Sequence, residues 1–354
     1  MSDAQLIVTH FCIPEHVTRV AALGEGFIND TYLVETSEAQ KYILQRKNSS
    51  IFPDIPGMMD NIDKVTAHIR SKGGVTLQLI HSRDNKLFYR GQEGACWTCC
   101  TYIPDTYTYD YAVSMDLVRA GGLGVGMFHS LTADFQGNLT DTLPGFHDIG
   151  YRFGQFAESI ERNRSSRGES VASLVEEVYI RKERMESFMD LVTRQVLPQR
   201  VSHNDTKLSN FLFDKDRNVV CAIDLDTVKQ TTVLFDFGDA VRSYTNPFAE
   251  DHPEFHEIRL DMERFYHFSA GYLSRAAWFL NDTEKLHMAF SALYITYEQF
   301  LRFLMDYIDG DTYYRIRYPT HNLVRAQSQL ALLKSMEDQY DLMQENLHSI
   351  LNTF

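Results

Sequence analysis

Apolar and polar positions change their spacing part-way along the chain. Up to residue 103 the apolar residues fall in short runs of strand type. Leu33-Val34 comes first, then Tyr42 to Leu44 after the polar stretch 35–40, then 77–80, 87–89 and 96–103. One helical pattern interrupts them, with Met58, Ile62, Val65 and Ile69 at spacings of three and four. Pro104-Asp105 punctuates the chain. Beyond it the pattern turns helical, over 117–131, 171–196, 258–280, 284–307 and 324–351. A single β-rich island breaks this region, from Phe211-Leu212-Phe213 through 219–225. The pattern predicts an α+β chain of two lobes: a small β-rich one over 1–103 and a larger, mainly helical one over 104–354.

Length and composition agree with two lobes. The chain has 354 residues, more than one compact core usually holds. It carries 19 Tyr and 23 Phe, so core material is plentiful and disorder is not expected. The formal charge of −14 repels a phosphate backbone, so no nucleic-acid partner is expected. The first ten residues lack a basic stretch followed by an apolar one, so no secretory signal is read. No apolar run has the length of a membrane span, so no membrane partner is expected either. Five cysteines make an odd count and argue against a complete disulfide framework, which points to a reducing cytoplasm.

The chemistry concentrates in His203-Asn204-Asp205-Thr206-Lys207-Leu208-Ser209-Asn210. An Asp followed by Lys at two residues and Asn at five suits a phosphoryl-transfer loop. The Asp205 carboxylate can accept the proton of an attacking hydroxyl, Lys207 can sit against the moving phosphoryl group, and the Asn210 amide oxygen can ligate Mg²⁺. Fourteen residues after Asn210, the apolar run 219–223 delivers Asp224 at its end, which suits a second oxygen ligand for Mg²⁺. Asp226 lies two residues on, and ligates directly, through water, or not at all. Asp236-Phe237-Gly238 spells another metal-binding triplet, but it stands 26 residues after Asn210; Asp236 and Asp239 are expected to cap or brace the following helix. Upstream, Gly24-Glu25-Gly26 before the β-type run 31–34 fits a hairpin whose backbone N–H groups cover phosphates.

Taken together, these stretches resemble the aminoglycoside phosphotransferase and choline kinase superfamily. More narrowly, they resemble bacterial N-acetylhexosamine 1-kinases. The narrow likeness rests on 24–34, 42–54, 203–210, 223–227, 234–239 and 302–325, in that order along the chain. It implies a bilobal protein-kinase-like fold, with residues 1–103 as a nucleotide-binding lobe and 104–354 as the catalytic and substrate-binding lobe. It also implies ATP with Mg²⁺, and a phosphotransferase acting on the anomeric hydroxyl of N-acetylglucosamine or N-acetylgalactosamine. The nucleotide set would be Gly24, Gly26, Asn29, Thr31 and Gln45; the metal set Asn210, Asp224 and Asp226; the catalytic pair Asp205 and Lys207. Arg302 and Tyr313 match positions that touch the sugar. Two residues depart from the pattern. Gln45 stands near the place of the usual strand lysine, followed by Arg46 and Lys47, and Phe27 replaces a histidine of the close relatives. Another small alcohol remains an alternative acceptor: an aminoglycoside, choline, homoserine or methylthioribose. A nucleotide-binding pseudokinase is the alternative outside the enzyme class.

Other patterns carry a structural reading. Cys96 and Cys99, three apart in a strand, would face opposite ways. The glycines of 121–126 would allow close helix packing. His203 is expected to hold its loop through a ring hydrogen bond to backbone. Pro253 between His252 and His256 stands where a zinc-protease motif needs its glutamate. The aromatic-rich stretch 102–111 is expected to pack at the hinge.

Overall fold

The computed structural model describes residues 3–24, 28–91 and 94–354. A short helix α1 (Asp3–Ile7) precedes strands β1 (Val17–Ala22), β2 (Asp30–Thr36) and β3 (Lys41–Lys47). Helix α2 (Ile55–Ser71) follows, then β4 (Tyr89–Arg90) and β5 (Cys96–Thr101). The five strands form one antiparallel sheet in the order β1-β2-β3-β5-β4. Strand alternation gives each face its own job. Val34, Tyr42, Leu44, Trp97 and Cys99 are buried on one face, under Ala4 and the turn after α1. The other face looks into a cleft. Across it, Thr31 pairs with Gln45 and Gln45 with Thr98, so three polar side chains stand in a row. Cys96 joins the larger core and Cys99 the smaller one, as opposite-facing neighbours must.

Of the expected strands, 77–80 contributes only an isolated bridge, Leu79 to Cys100, and 87–89 shrinks to the two-residue β4. Among the described residues the first segment bonds β5 only at Gln78 and Ile80, and Leu87 and Phe88 form a bend before β4.

Helix α2 starts at Asp54, whose side chain accepts from Gly57 N at 2.9 Å, with Pro56 in the first turn. Its apolar face, Met58, Ile62, Val65 and Ile69, belongs to the core that fills the helical part of the molecule. Asn61, fully buried, donates to Thr140 O and Val228 O and accepts from Thr140 N. The helix that follows β3 is therefore bolted to the C-terminal part and not only to the sheet.

That part contains α3 (Met115–Thr132), α4 (Ile149–Arg162), α5 (Ala172–Thr193), α6 (Val233–Tyr244), α7 (Met262–Ala276), α8 (Asp282–Asp309), α9 (His321–Asp338) and α10 (Tyr340–Leu351). Between α5 and α6 lie two small antiparallel pairs, β6 (Arg200–Ser202) with β9 (Lys229–Thr231) and, between them in sequence, the hairpin β7 (Phe211–Phe213) with β8 (Val219–Ala222). The expected helix over 324–351 is two helices, with Gln339 between them. No helix among the described residues is long and apolar enough to cross a membrane.

The glycine run 121–126 lies inside α3, where it lets α7 approach. A Cβ on Gly122 would fall on the Phe268 carbonyl, and one on Gly126 on the Tyr272 carbonyl. Backbone cannot move aside as a flexible side chain can. Gly122→Ala is therefore expected to destabilise the protein by about 1–3 kcal/mol through overpacking. Urea unfolding that finds the variant as stable as the parent would contradict the close α3–α7 contact.

Candidate active site

The loop 203–210 runs from β6 to β7, and a buried carboxylate on α6 holds it. Asp236 Oδ2 accepts from His203 N and Oδ1 from Asn204 N, both at 2.6 Å. His129 Nε2 reaches Asp236 Oδ2 at 2.7 Å, and the other ring nitrogen meets the Tyr272 hydroxyl at 3.1 Å. Burial alone would raise the Asp236 carboxyl, but these hydrogen bonds and the charge of His129 and His203 hold it below the usual range. Asp239 accepts from Thr206 N at 3.1 Å. The expectation that Asp236 and Asp239 serve the next helix is thus corrected. They sit in α6, three residues apart on one face, and brace the loop 203–210 by accepting from its amides. The His203 ring donates from Nε2 to Ile223 O at 2.8 Å, tying the loop to the segment that carries Asp224. Asn204 and Asp224 both take left-handed backbone, φ +64 and +57, a sparsely populated region for residues with a Cβ.

Asp205 Oδ2 receives Lys207 Nζ at 2.9 Å and Asn210 Nδ2 at 2.8 Å. Its Oδ1 has no hydrogen-bond partner among the described residues. Burial would raise this carboxyl; Lys207, His203 and the Asn210 hydrogen bond outweigh it and hold the group below the usual range. The Asn210 amide also donates to Asp205 O at 2.9 Å, which leaves its Oδ1 free for another ligand. Asp224 accepts no hydrogen bond among the described residues. Solvent reaches it through the cleft, yet the surrounding protein, with Asp226 and Asp205 nearby, raises its carboxyl. A carboxylate under that pressure and a free amide oxygen fit a divalent cation. Mg²⁺ takes few protein oxygens when phosphates and water supply the rest. Among the described residues no three of His, Cys, Asp and Glu converge as a cage, so such a cation would share its shell with a ligand.

A cavity of about 440 Å³ opens between sheet and loop, lined by Thr31, Gln45, Lys47, Asn210, Asp224 and Asp226 along its polar side. Leu79, Cys100, Tyr102 and Ile103 form part of an apolar end. The reading that no strand lysine is present needs correction. Lys47 reaches into this cavity, donates to both Asp226 oxygens at 2.6 and 2.8 Å, and donates to Gln45 Oε1 at 2.8 Å. It shares a strand face with Gln45, two residues earlier, and that parity was the signal for it in the sequence. Asn29 donates to Asp226 Oδ2 at 2.7 Å and accepts from Asn48 N at 3.1 Å. Asp226 is therefore fully occupied by protein donors, while Asp224 is not. Gln45 bonds Thr31 at 3.3 Å. Gly24 has φ +69 in the turn after β1, beside Leu23, whose N–H bonds Thr31 O at 2.8 Å. Gly26 and Phe27 lie outside the described residues.

Arg302 and Tyr313 form a second group that does not line this cavity. The Arg302 guanidinium, on α8, lies 5.7 Å from the Tyr313 ring, 5.5 Å from Tyr314 and 5.7 Å from Phe146. Among the described residues, its hydrogen bond to a non-aromatic partner is to Gln299, at 3.4 Å. Glu298, one turn earlier, is buried but held down to about 2 by His147, Arg302 and Arg152. Between the two groups, Arg242 bonds Asp239 at 2.8 Å and Glu250 at 2.7 Å, and Asp239 in turn accepts from Thr206 N in the loop 203–210.

The Lys47–Asp226 pair is almost wholly buried, with side-chain exposures of 3% and 5%. Lys47→Met leaves a buried carboxylate unpaired and is expected to cost about 3–5 kcal/mol of stability. Adding Asp226→Asn should recover part of that loss, read as a coupling in a double-mutant cycle of urea unfolding. Additive losses would show that the two side chains do not depend on each other.

The family model described as the phosphotransferase enzyme family matches residues 19–278. Solved structures match over nearly the whole chain. An aminopropanol kinase described as microcompartment-associated superposes with a TM-score of 0.64 at 17% identity, over 96% of this chain and 98% of its own. An amicoumacin kinase in complex with AMP-PNP, Ca²⁺ and Ami gives 0.60 at 18%, over 95% and 94%. An aminoglycoside phosphotransferase from Alicyclobacillus acidocaldarius gives 0.60 at 13%, over 99% and 96%. At these identities the structures establish the shared fold. The family match spans most of the chain, and the chain belongs to the phosphotransferase enzyme family.

Proposed function

We propose that this member of the phosphotransferase enzyme family moves the γ-phosphate of ATP to the anomeric hydroxyl of an N-acetylhexosamine, N-acetylglucosamine or N-acetylgalactosamine. The observation that carries the reaction type is that Asn210 and Asp224 line a cavity with one polar and one apolar end, while Asn210 also holds Asp205 by a hydrogen bond. An adenine and its phosphates match that division. The amicoumacin kinase with the same fold has AMP-PNP in its complex, which supports the same nucleotide class here.

In this reading the apolar end, with Tyr102 and Ile103, takes the adenine, and Thr31 and Gln45 stand along the phosphates. Asn210 Oδ1 and Asp224 would hold Mg²⁺, which would neutralise charge on the β- and γ-phosphate oxygens. Asp205 turns its free Oδ1 to the acceptor hydroxyl. The hydroxyl oxygen forms the new bond to phosphorus, the bond to the β-phosphate oxygen breaks, Asp205 takes the proton and ADP leaves. A carboxyl with a lowered pKa is a weak base, so its main work is to orient the hydroxyl. A loose phosphoryl-transfer transition state asks little more, because the nucleophile need not be fully deprotonated. Lys207 keeps Asp205 ionised and adds positive charge beside the moving group.

Arg302 is what favours a sugar over an amine. Its guanidinium has spare donors and lies among aromatic faces, a combination suited to a neutral acceptor with an amide carbonyl and hydroxyls. The same charge would repel choline or an aminoglycoside.

ADP release measured with a panel of N-acetylglucosamine, N-acetylgalactosamine, glucose, choline and kanamycin should respond to the two N-acetylhexosamines. Asp205→Asn should lower kcat by about a thousandfold or more while ATP affinity, by calorimetry, stays within about threefold. Turnover retained in that variant would remove Asp205 from the chemistry. The pH dependence follows from the sign of the shift. A lowered pKa keeps Asp205 ionised down to and below the ordinary carboxylate range, so kcat/KM should show no loss from this group as pH falls from about 7 to about 5. An acid limb within that window that disappears in the Asn variant's residual rate would contradict the lowered pKa.

A further inference from the structure

Helix α8 ends in a device larger than ending a helix requires. Gly310, at φ +91, turns the chain, with its N–H on Tyr307 O, and Asp311 N bonds Asp306 O at 2.8 Å. Those backbone bonds already close the helix. Asp306 adds a buried carboxylate on top of them. Its Oδ1 accepts from Thr312 N and Tyr313 N, each at 2.8 Å, and its Oδ2 from Tyr314 N at 2.9 Å. Three consecutive amides are thus caught by one side chain that is only 3% exposed.

The carboxylate is itself held from two sides. Asn322, on α9, donates to Asp306 Oδ2 and Asp311 Oδ1, both at 2.9 Å. Arg167 bonds Asp311 Oδ2 at 2.6 Å and Tyr307 O at 3.1 Å, and stacks on the Tyr307 ring. What this network fixes is the backbone that presents Tyr313 and Tyr314 to Arg302. Tyr313 is 55% exposed, so little packing of its own ring could hold it there. Asp306 lies one turn beyond Arg302 on the same helix, which ties the loop to the guanidinium by the shortest rigid path.

We infer that Asp306, braced by Asn322, is a positioning residue for the acceptor: it sets acceptor affinity by locking Tyr313 and Tyr314 against Arg302, without touching the acceptor. This rests on the proposed placement of the acceptor at Arg302 and Tyr313. A buried carboxylate costs free energy unless hydrogen bonds fully compensate it, and here the compensation comes from three amides of the loop that it orders and from Asn322 on α9.

Steady-state kinetics with N-acetylglucosamine as the varied acceptor tests this, or with the panel alcohol that gives ADP release if N-acetylglucosamine does not. Asp306→Asn keeps the shape but sets an amide N–H₂ against backbone donors. It should raise acceptor KM by about tenfold or more, with kcat and ATP KM within about twofold. Asn322→Ala should raise acceptor KM in the same direction and less steeply, and it decides the matter if Asp306→Asn does not fold. Arg302→Ala and Tyr313→Ala are measured beside them. If those two raise acceptor KM while Asp306→Asn and Asn322→Ala do not, the positioning role is overturned and the acceptor placement stands. If none of the four moves acceptor KM, the placement at Arg302 falls and the inference falls with it. Parallel losses in kcat and in both KM values for Asp306→Asn and Asn322→Ala would mark a general structural role and equally overturn the inference.

Discussion

The loop that carries Asp205 depends on one buried carboxylate. Asp236 takes two successive backbone amides of the loop, at His203 and Asn204, and has no exposure to solvent. A charge in that position needs its hydrogen bonds, and the loop amides need an acceptor, so each stabilises the other. Behind it stand His129 on α3 and Tyr272 on α7. Those two helices approach as closely as they do because Gly122, Gly126 and Gly271 have no Cβ to hold them apart. Helix packing, the carboxylate and the position of Asp205 therefore form one chain of dependence. A change in the α3–α7 contact would reach Asp205 through Asp236.

The cleft above that loop separates two carboxylates by their partners. Asp226 is neutralised by Lys47 and bonded by Asn29. Asp224 has neither and is pushed toward protonation by its surroundings. In the proposed reading a cation entering with a nucleotide would gain most at Asp224, with Asn210 Oδ1 as the neighbouring free acceptor. Of the three metal ligands expected from the sequence, Asn210 and Asp224 fit a cation directly, while Asp226 already has one in the Lys47 ammonium.

Much of this was legible in the chain. The two-lobe α+β order follows from the change of hydrophobic period, and the helices on either side of the β-rich island follow from residues at three and four. Asp205, Lys207 and Asn210 stand out because their spacing fits on one short loop. Other elements were hidden for physical reasons. Helix α6 is buried along all of Val233 to Val241, and its polar positions Asp236, Asp239 and Arg242 face other protein groups and not solvent, so the polar face reads as loop chemistry. Helix α4 did carry a period, in Ile149, Phe153, Phe156 and Ile160, between loops that drew the eye away. The break between α9 and α10 falls at Gln339, with neither Gly nor Pro to announce it. Lys47 was passed over because a count along the strand favoured Gln45, where the alternation of Ile43, Gln45 and Lys47 on one face would have found it. The organising role of Asp306 depends on amides six to eight residues away, which no local pattern contains.

The central claim is phosphoryl transfer to the anomeric oxygen of an N-acetylhexosamine. The most direct test is the position of phosphate in the product. Protein, ATP, Mg²⁺ and N-acetylglucosamine would be incubated together and the sugar product examined by phosphorus–proton correlation NMR. The account predicts a phosphorus signal coupled to the anomeric proton. Coupling to the protons at carbon six, or a sugar recovered without phosphate while another alcohol is phosphorylated, would contradict it.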